Sequence, residues 1–252
     1  MESTVTKLIC ANNGSMNVND IEAMCGVSVR DVILNLDRLC LVVFNGEQRV
    51  VAKTVVRLCK SQDCHGCRNL HFCKRFLFGE CPFVQRRGGC RFSHELTSGN
   101  NRIILKENGL EKLDKAELCT LLLQNDRFLL PPVCHDHNND VGEYGKCEER
   151  EKCKRLHICE TYLRDNCNCP GCHDFFEPHP FQSLQDRGVP VKLIGSLKSV
   201  YMNAEWLQKQ DRAKQGKQAK AQVNAIAYTR NQSNRVPESS QSNGNTFGML
   251  NK

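Results

Sequence analysis

Cys59-Lys60-Ser61-Gln62-Asp63-Cys64-His65-Gly66-Cys67-Arg68-Asn69-Leu70-His71 is followed, after one residue, by a second run marked by Cys73, Cys81, Cys90 and His94. Each run supplies three thiols and one imidazole, the donor set of a closed tetrahedral zinc site of the structural kind. Two complete sets within 36 residues organise the rest of the chain. Between the ligands stand Lys60, Lys74, Arg75, Arg86, Arg87 and Arg91 with Phe83 and Phe92. Aromatic faces that stack on unpaired bases, beside cations that follow a phosphate backbone, suit single-stranded nucleic acid. Packing of Phe83 and Phe92 on their own finger loops is the competing reading. Gly88 and Gly89 permit close backbone approach.

The pattern returns downstream. Cys134, Cys147, Cys153 and His157 form a third Cys₃His set, and Leu70-His71-Phe72-Cys73 reappears as Leu156-His157-Ile158-Cys159. An internal repeat of a finger pair explains both. In the fourth set Cys159 and Cys167 are clear, and a shift of 79 positions carries Cys90 and His94 onto Cys169 and His173. Cys172 and His179 remain alternatives, because only Asn168 separates Cys167 from Cys169. Four zinc ions are therefore expected as cofactors, with a weakened or empty fourth site as the alternative.

Seventeen cysteines in 252 residues, without a cationic and then apolar leader, point to a reducing compartment and to thiols used as metal ligands. The cytoplasm is the expected location, and the basic tail also fits a nuclear address. No apolar run reaches the ~20 residues that span a bilayer, so no membrane partner is expected. The net charge of +7 divides into −2 over residues 1–52, +7 over 53–94, −4 over 95–206 and +6 over 207–252. Positive charge is thus concentrated on the first finger pair and on the tail, the electrostatic footprint of a nucleic-acid site. The second pair lacks it, since Glu148, Glu149 and Glu151 offset Lys154 and Arg155.

Residues 1–58 read as a winged helix-turn-helix lobe. Val5, Leu8 and Ile9 share one helix face, Ile21 and Met24 another, and Val29, Val32, Ile33, Leu36 and Leu39 a third, opened by Ser28 and Asp31. Leu41–Phe44, Asn45-Gly46 and Arg49–Ala52 then predict a hairpin. The remaining units are fingers 1 and 2 (59–94), a connector with helices over 102–108 and 114–124 (95–133), and fingers 3 and 4 (134–179). Closing helices (180–206) and a basic tail without a core (207–252) complete the chain. The fold class is mainly α and zinc-stabilised. No His-x-Glu accompanies Cys169-Pro170-Gly171-Cys172, so zinc-hydrolase or deaminase chemistry and a small-molecule substrate are not expected.

With the Leu-His-x-Cys junctions and Leu121-Leu122-Leu123-Gln124-Asn125-Asp126 through Leu129-Leu130-Pro131, residues 1–206 resemble the zinc finger antiviral protein family. That family includes an antiviral-like paralogue and finger-bearing ADP-ribosyltransferases. The resemblance implies single-stranded RNA binding mainly through finger 2, at Lys74, Phe83, Arg91 and Phe92, and partnership with RNA-decay factors. Phe83 and Phe92 replace tyrosines of the antiviral protein, and Ser61-Gln62 interrupts its basic triplet, so its CpG selectivity is not carried over. No ADP-ribosyltransferase catalytic domain fits after residue 206, and a binding protein rather than an enzyme is expected. A zinc-stabilised protein-interaction scaffold and a winged-helix DNA binder are the competing readings.

Overall fold

The computed structural model describes residues 2–26, 28, 38–61, 64, 66–97, 99–139 and 147–233. Helix α1 (Glu2–Ala11) is followed by strand β1 (Ser15–Asn17) and helix α2 (Val18–Cys25). Asn17 caps α2 by accepting the Asn19 amide, and Gly26, at φ 64°, ends it in the left-handed conformation. Strands β2 (Leu39–Phe44) and β3 (Glu47–Ala52) form the predicted hairpin. Its turn residues Asn45 and Gly46 both take positive φ, 49° and 80°, which lets the turn follow the right-handed twist of the strands. β1 pairs antiparallel with β3, giving the order β1-β3-β2, an arrangement consistent with a winged helix.

Val5 and Ile9 are buried as their spacing requires. Met24 is not: α2 sends Val18 and Ile21 into the core and leaves Met24 64% exposed. α2 has only eight residues, and a single turn of it meets the sheet. The predicted helix through Val29, Val32, Ile33 and Leu36 lies outside the described residues, while Leu39 opens β2 instead of closing that helix. β1 escaped the sequence reading because three residues are too few to show alternation.

Finger 2 contains α3 (Lys74–Phe78). The connector supplies α4 (Gly99–Glu107) and α5 (Lys115–Asn125), close to their predicted bounds. α5 opens with a capping box in which Asp114 accepts the Glu117 amide and the Glu117 carboxylate accepts the Asp114 amide. After α6 (Glu160–Arg164), the chain closes with α7 (Pro178–Asp186), α8 (Val191–Ile194) and α9 (Leu197–Ser233). One continuous core joins α1, the hairpin, α4, α5 and α9 to Leu70, Phe72, Leu156 and Ile158. The fingers are therefore built into the body.

The repeat survives in the backbone. Cys59 donates to Leu70 O at 2.8 Å and Leu70 to Arg57 O at 2.8 Å; Cys134 donates to Leu156 O at 2.9 Å and Leu156 to Pro132 O at 2.8 Å.

The tail boundary needs correction. Composition predicts a chain without structure from residue 207, yet Leu207 is buried with Val42 and Val51, and Trp206 meets Phe44 at 5.2 Å between ring centroids. Helix continues to Ser233 through a run of Ala, Gln, Lys and Arg, all good helix formers, with no proline before Pro237. Residues 234–252 lie outside the described set.

A buried amide pair ties α9 to the lobe. Asn203 donates to Asn13 O at 3.0 Å and to Gln124 Oε1 at 2.9 Å, and Gln124 donates to Gly14 O and Ala52 O. Asn203→Leu strips the buried Gln124 Oε1 and the part-buried Asn13 carbonyl of this donor and is expected to lower stability by about 1–3 kcal/mol, measured by urea denaturation of the zinc-loaded protein.

Candidate functional site

Four Cys₃His groups converge: Cys59, Cys64, Cys67 and His71; Cys73, Cys81, Cys90 and His94; Cys134, Cys147, Cys153 and His157; and Cys159, Cys167, Cys169 and His173. Within each group all four ligand atoms lie within 4.8 Å of one another. A tetrahedral zinc with Zn–S of about 2.3 Å and Zn–N of about 2.0 Å requires S···S edges near 3.8 Å and S···N edges near 3.5 Å. The structure gives 3.8 Å for Cys134–Cys147 and Cys134–Cys153, 3.6 Å for Cys73–Cys90, and 3.9 Å for Cys159–Cys167. Nε2 of His71 stands 3.3 Å from Cys67 Sγ, and Nε2 of His173 stands 3.4 Å from Cys169 Sγ. Nε2 of His94 and of His157 is buried with no hydrogen-bond partner, as a lone pair reserved for metal would be. Burial, with His179 and His137 adding to it, holds the His157 pKa down at about 4, so the ring is the neutral ligand zinc requires. These four sets fit four structural zinc ions with no coordination position left open.

In finger 4 the alternatives Cys172 and His179 stand outside the converging group. Cys172 points its thiol at Asp174 O, 3.3 Å away, and its carbonyl accepts the Cys159 amide. His179 stacks on His157 with centroids 3.5 Å apart. Cys10 and Cys119 are buried thiols outside the clusters, both pushed up to about 12 chiefly by burial.

Fingers 2 and 4 share a device that spacing alone does not reveal. Phe76, three residues after Cys73, stacks on His94 at 4.3 Å, and Lys115 Nζ lies 4.2 Å from the Phe76 centroid. Tyr162, three residues after Cys159, stacks on His173 at 4.7 Å, with Lys198 Nζ 4.1 Å from its centroid. Each zinc-ligand imidazole is thus held flat against a ring that a lysine covers. Asn101, buried at the start of α4, accepts the His71 amide at 2.8 Å and donates to His71 O and Glu95 O, joining the two fingers.

The predicted nucleic-acid residues divide into two groups. Lys60, Lys74 and Phe92 line a cavity of about 260 Å³ together with Leu58, Cys59, Phe72, Asp126, Phe128 and Leu129. Arg75 and Arg86 instead lie over Phe83, 5.4 Å and 4.7 Å from its centroid, outside that lining. Arg87 and Arg91 are exposed. Phe128, 51% exposed with Lys60 Nζ 3.5 Å from its centroid, is the residue the sequence reading missed. Its signal was a single large apolar residue placed by an Asx turn, in which Phe128 N donates to Asp126 Oδ1. Lys74 Nζ donates to Leu129 O and Arg187 O; burial, then Arg187, lower its pKa to about 8 against the pull of Asp126. In the second pair two arginines are tied up: Arg155 with Asp136 at 2.7 Å, and Arg164 with Glu160 and Glu205.

Fold and site together define a compact four-finger Cys₃His zinc domain carrying a three-stranded lobe. Residues 57–101 match a profile described as PARP12-like CCCH zinc finger tandem. Human zinc finger CCCH-type antiviral protein 1-like is 31% identical over 225 residues, covering 76% of this chain and 75% of that protein, and the chain belongs to its family. Human protein mono-ADP-ribosyltransferase PARP12 is 30% identical over 221 residues, covering 79% of this chain and 32% of that protein. Rat zinc finger CCCH-type antiviral protein 1 is 30% identical over 213 residues, covering 79% and 27%. The chain therefore spans about a third of the length of the ADP-ribosyltransferase it matches.

Two measurements test the metal centres. Elemental analysis should give four zinc per chain, three for Cys169→Ser and four for Cys172→Ser. Phe76→Leu and Tyr162→Leu should each weaken one zinc site by roughly 10-fold, read as faster metal transfer to a chromophoric chelator.

Proposed function

We propose that this protein is a zinc-dependent, single-stranded RNA-binding adaptor of the antiviral type, with its principal pocket beside finger 2. The observation that carries this is the cavity in which Phe92 and Phe128 stand with Lys60 and Lys74. Its volume suits a nucleobase, its aromatic walls offer stacking, and its two ammonium groups meet a phosphate or a carbonyl oxygen. The relatives named for antiviral action and CCCH fingers support the same reading. Closed zinc sets favour binding over catalysis, and RNA-decay factors are the partners such an adaptor would bring to its target. A cytoplasmic setting fits, and no helix among the described residues is long and apolar enough to cross a membrane.

Duplex DNA is the weaker reading. The lobe carries net negative charge, and Trp206 and Leu207 of α9 pack on Phe44, Val42 and Val51 of the hairpin. A fluorescent single-stranded RNA of twelve nucleotides is expected to bind the wild type. Phe92→Ala and Phe128→Ala should each lose about 1–3 kcal/mol of affinity by anisotropy with zinc content unchanged. Wild-type affinity in both variants would remove the pocket from the function, and absence of binding at low salt would favour a protein-interaction scaffold.

A further inference from the structure

Beyond the pocket, cations continue along α3. Lys74 opens that helix and reaches the carbonyl of Arg187, the residue that caps α7, at 2.9 Å. At the other end of α3 stands Gly79, whose carbonyl accepts Lys115 Nζ at 3.1 Å. Lys192 of α8 lies over the same glycine so closely that a Cβ there would fall 2.6 Å from its Nζ. Lys115 and Lys192 also act on one buried thiol, Cys119, each drawing down a pKa that burial raises. From Lys74 to Gly79 the helix rises about 7 Å at 1.5 Å per residue.

Asp126 acts on Lys74 at the head of the row, and among the described residues no carboxylate pairs with the cations beyond it. Among the described residues neither Arg187 nor Lys192 forms an ion pair, and Lys115 spends its charge on a ring and a carbonyl. The nearby carboxylates are otherwise engaged or isolated: Asp114 caps α5, Glu117 holds Lys7, Asp186 accepts Gln182, and Glu80 is exposed. Gly79, at φ 159° with Lys192 where a side chain would sit, keeps the two lysines close together. A row of unneutralised cations leading away from a base-sized cavity fits a chain of evenly spaced monoanions.

We propose that Arg187, Lys192 and Lys115 form a phosphate track. The RNA strand leaving the finger-2 pocket follows it past Lys74 along α3, across the junction between finger 2 and the closing helices. This rests on the RNA reading above and extends it from a base pocket to the path of the strand. None of the three residues belongs to a finger, so ligand spacing gives no hint of them.

The test is the salt dependence of RNA affinity, measured as log K against log salt with the twelve-nucleotide RNA on the zinc-loaded full chain. Each lost phosphate contact on a single strand lowers the slope by about 0.7. Lys192→Gln should lower it by that amount and Arg187→Gln with Lys192→Gln by about 1.4. Lys154→Gln in finger 3, a charge-matched control, should leave it unchanged, and Phe128→Ala should reduce affinity at constant slope. A wild-type slope in Lys192→Gln, or an equal drop in Lys154→Gln, overturns the track while the Phe128→Ala result still reports on the pocket. Failure of the wild type to bind RNA overturns both.

Discussion

Zinc coordination at the Leu-His-x-Cys junctions is the interaction on which the rest of the structure depends. In Leu70-His71-Phe72-Cys73 and Leu156-His157-Ile158-Cys159, alternate residues face opposite ways: His and Cys belong to metal clusters, Leu and Phe or Ile to the core. An extended backbone sends successive side chains to opposite sides, so four residues tie two metal sites to one apolar interior. Structural zinc contributes on the order of 10–16 kcal/mol in small finger peptides, comparable to the whole stability of a typical domain. Metal binding and folding are accordingly linked, and Leu118, Leu121 and Leu122 of α5 share one core with the junction residues Leu70, Phe72, Leu156 and Ile158.

Much of this was legible because metal ligands and turns leave local signals. Cys and His spacing gave all four clusters, including the choice of Cys169 and His173, since an internal repeat acts as its own reference. Asn45-Gly46 gave the hairpin, because few residue pairs accept two positive φ angles at low cost. What local pattern could not carry was partnership across long stretches of sequence. β1 becomes a strand only because β3 offers it a ladder, and Leu207 becomes core only because the hairpin presents Val42 and Val51. Phe128 looked like one more apolar residue ahead of Leu129 and Leu130, and its exposure follows from the Asx turn at Asp126.

Comparison of the two finger pairs separates what zinc requires from what a ligand requires. Both pairs keep the parallel bridges beside their first cysteines, a short helix after the fifth ligand, and an aromatic ring under the last histidine. These features stabilise metal sites and recur accordingly. The cations differ: beside finger 2 Lys60 and Lys74 line a cavity and Arg75 and Arg86 lie over an aromatic ring, whereas Arg155 and Arg164 are held by carboxylates.

Lys74 shows how a charge becomes a directional probe. An ammonium group has three hydrogens, and the carbonyls of Leu129 and Arg187 engage it at two points. The remaining hydrogen is aimed by protein atoms instead of swinging on a flexible stem, so a ligand would meet a fixed donor with a defined approach. Such a group distinguishes molecules by where they carry an acceptor as well as by how much negative charge they hold. Arginine, with its planar fork, would preserve the charge and lose that aim.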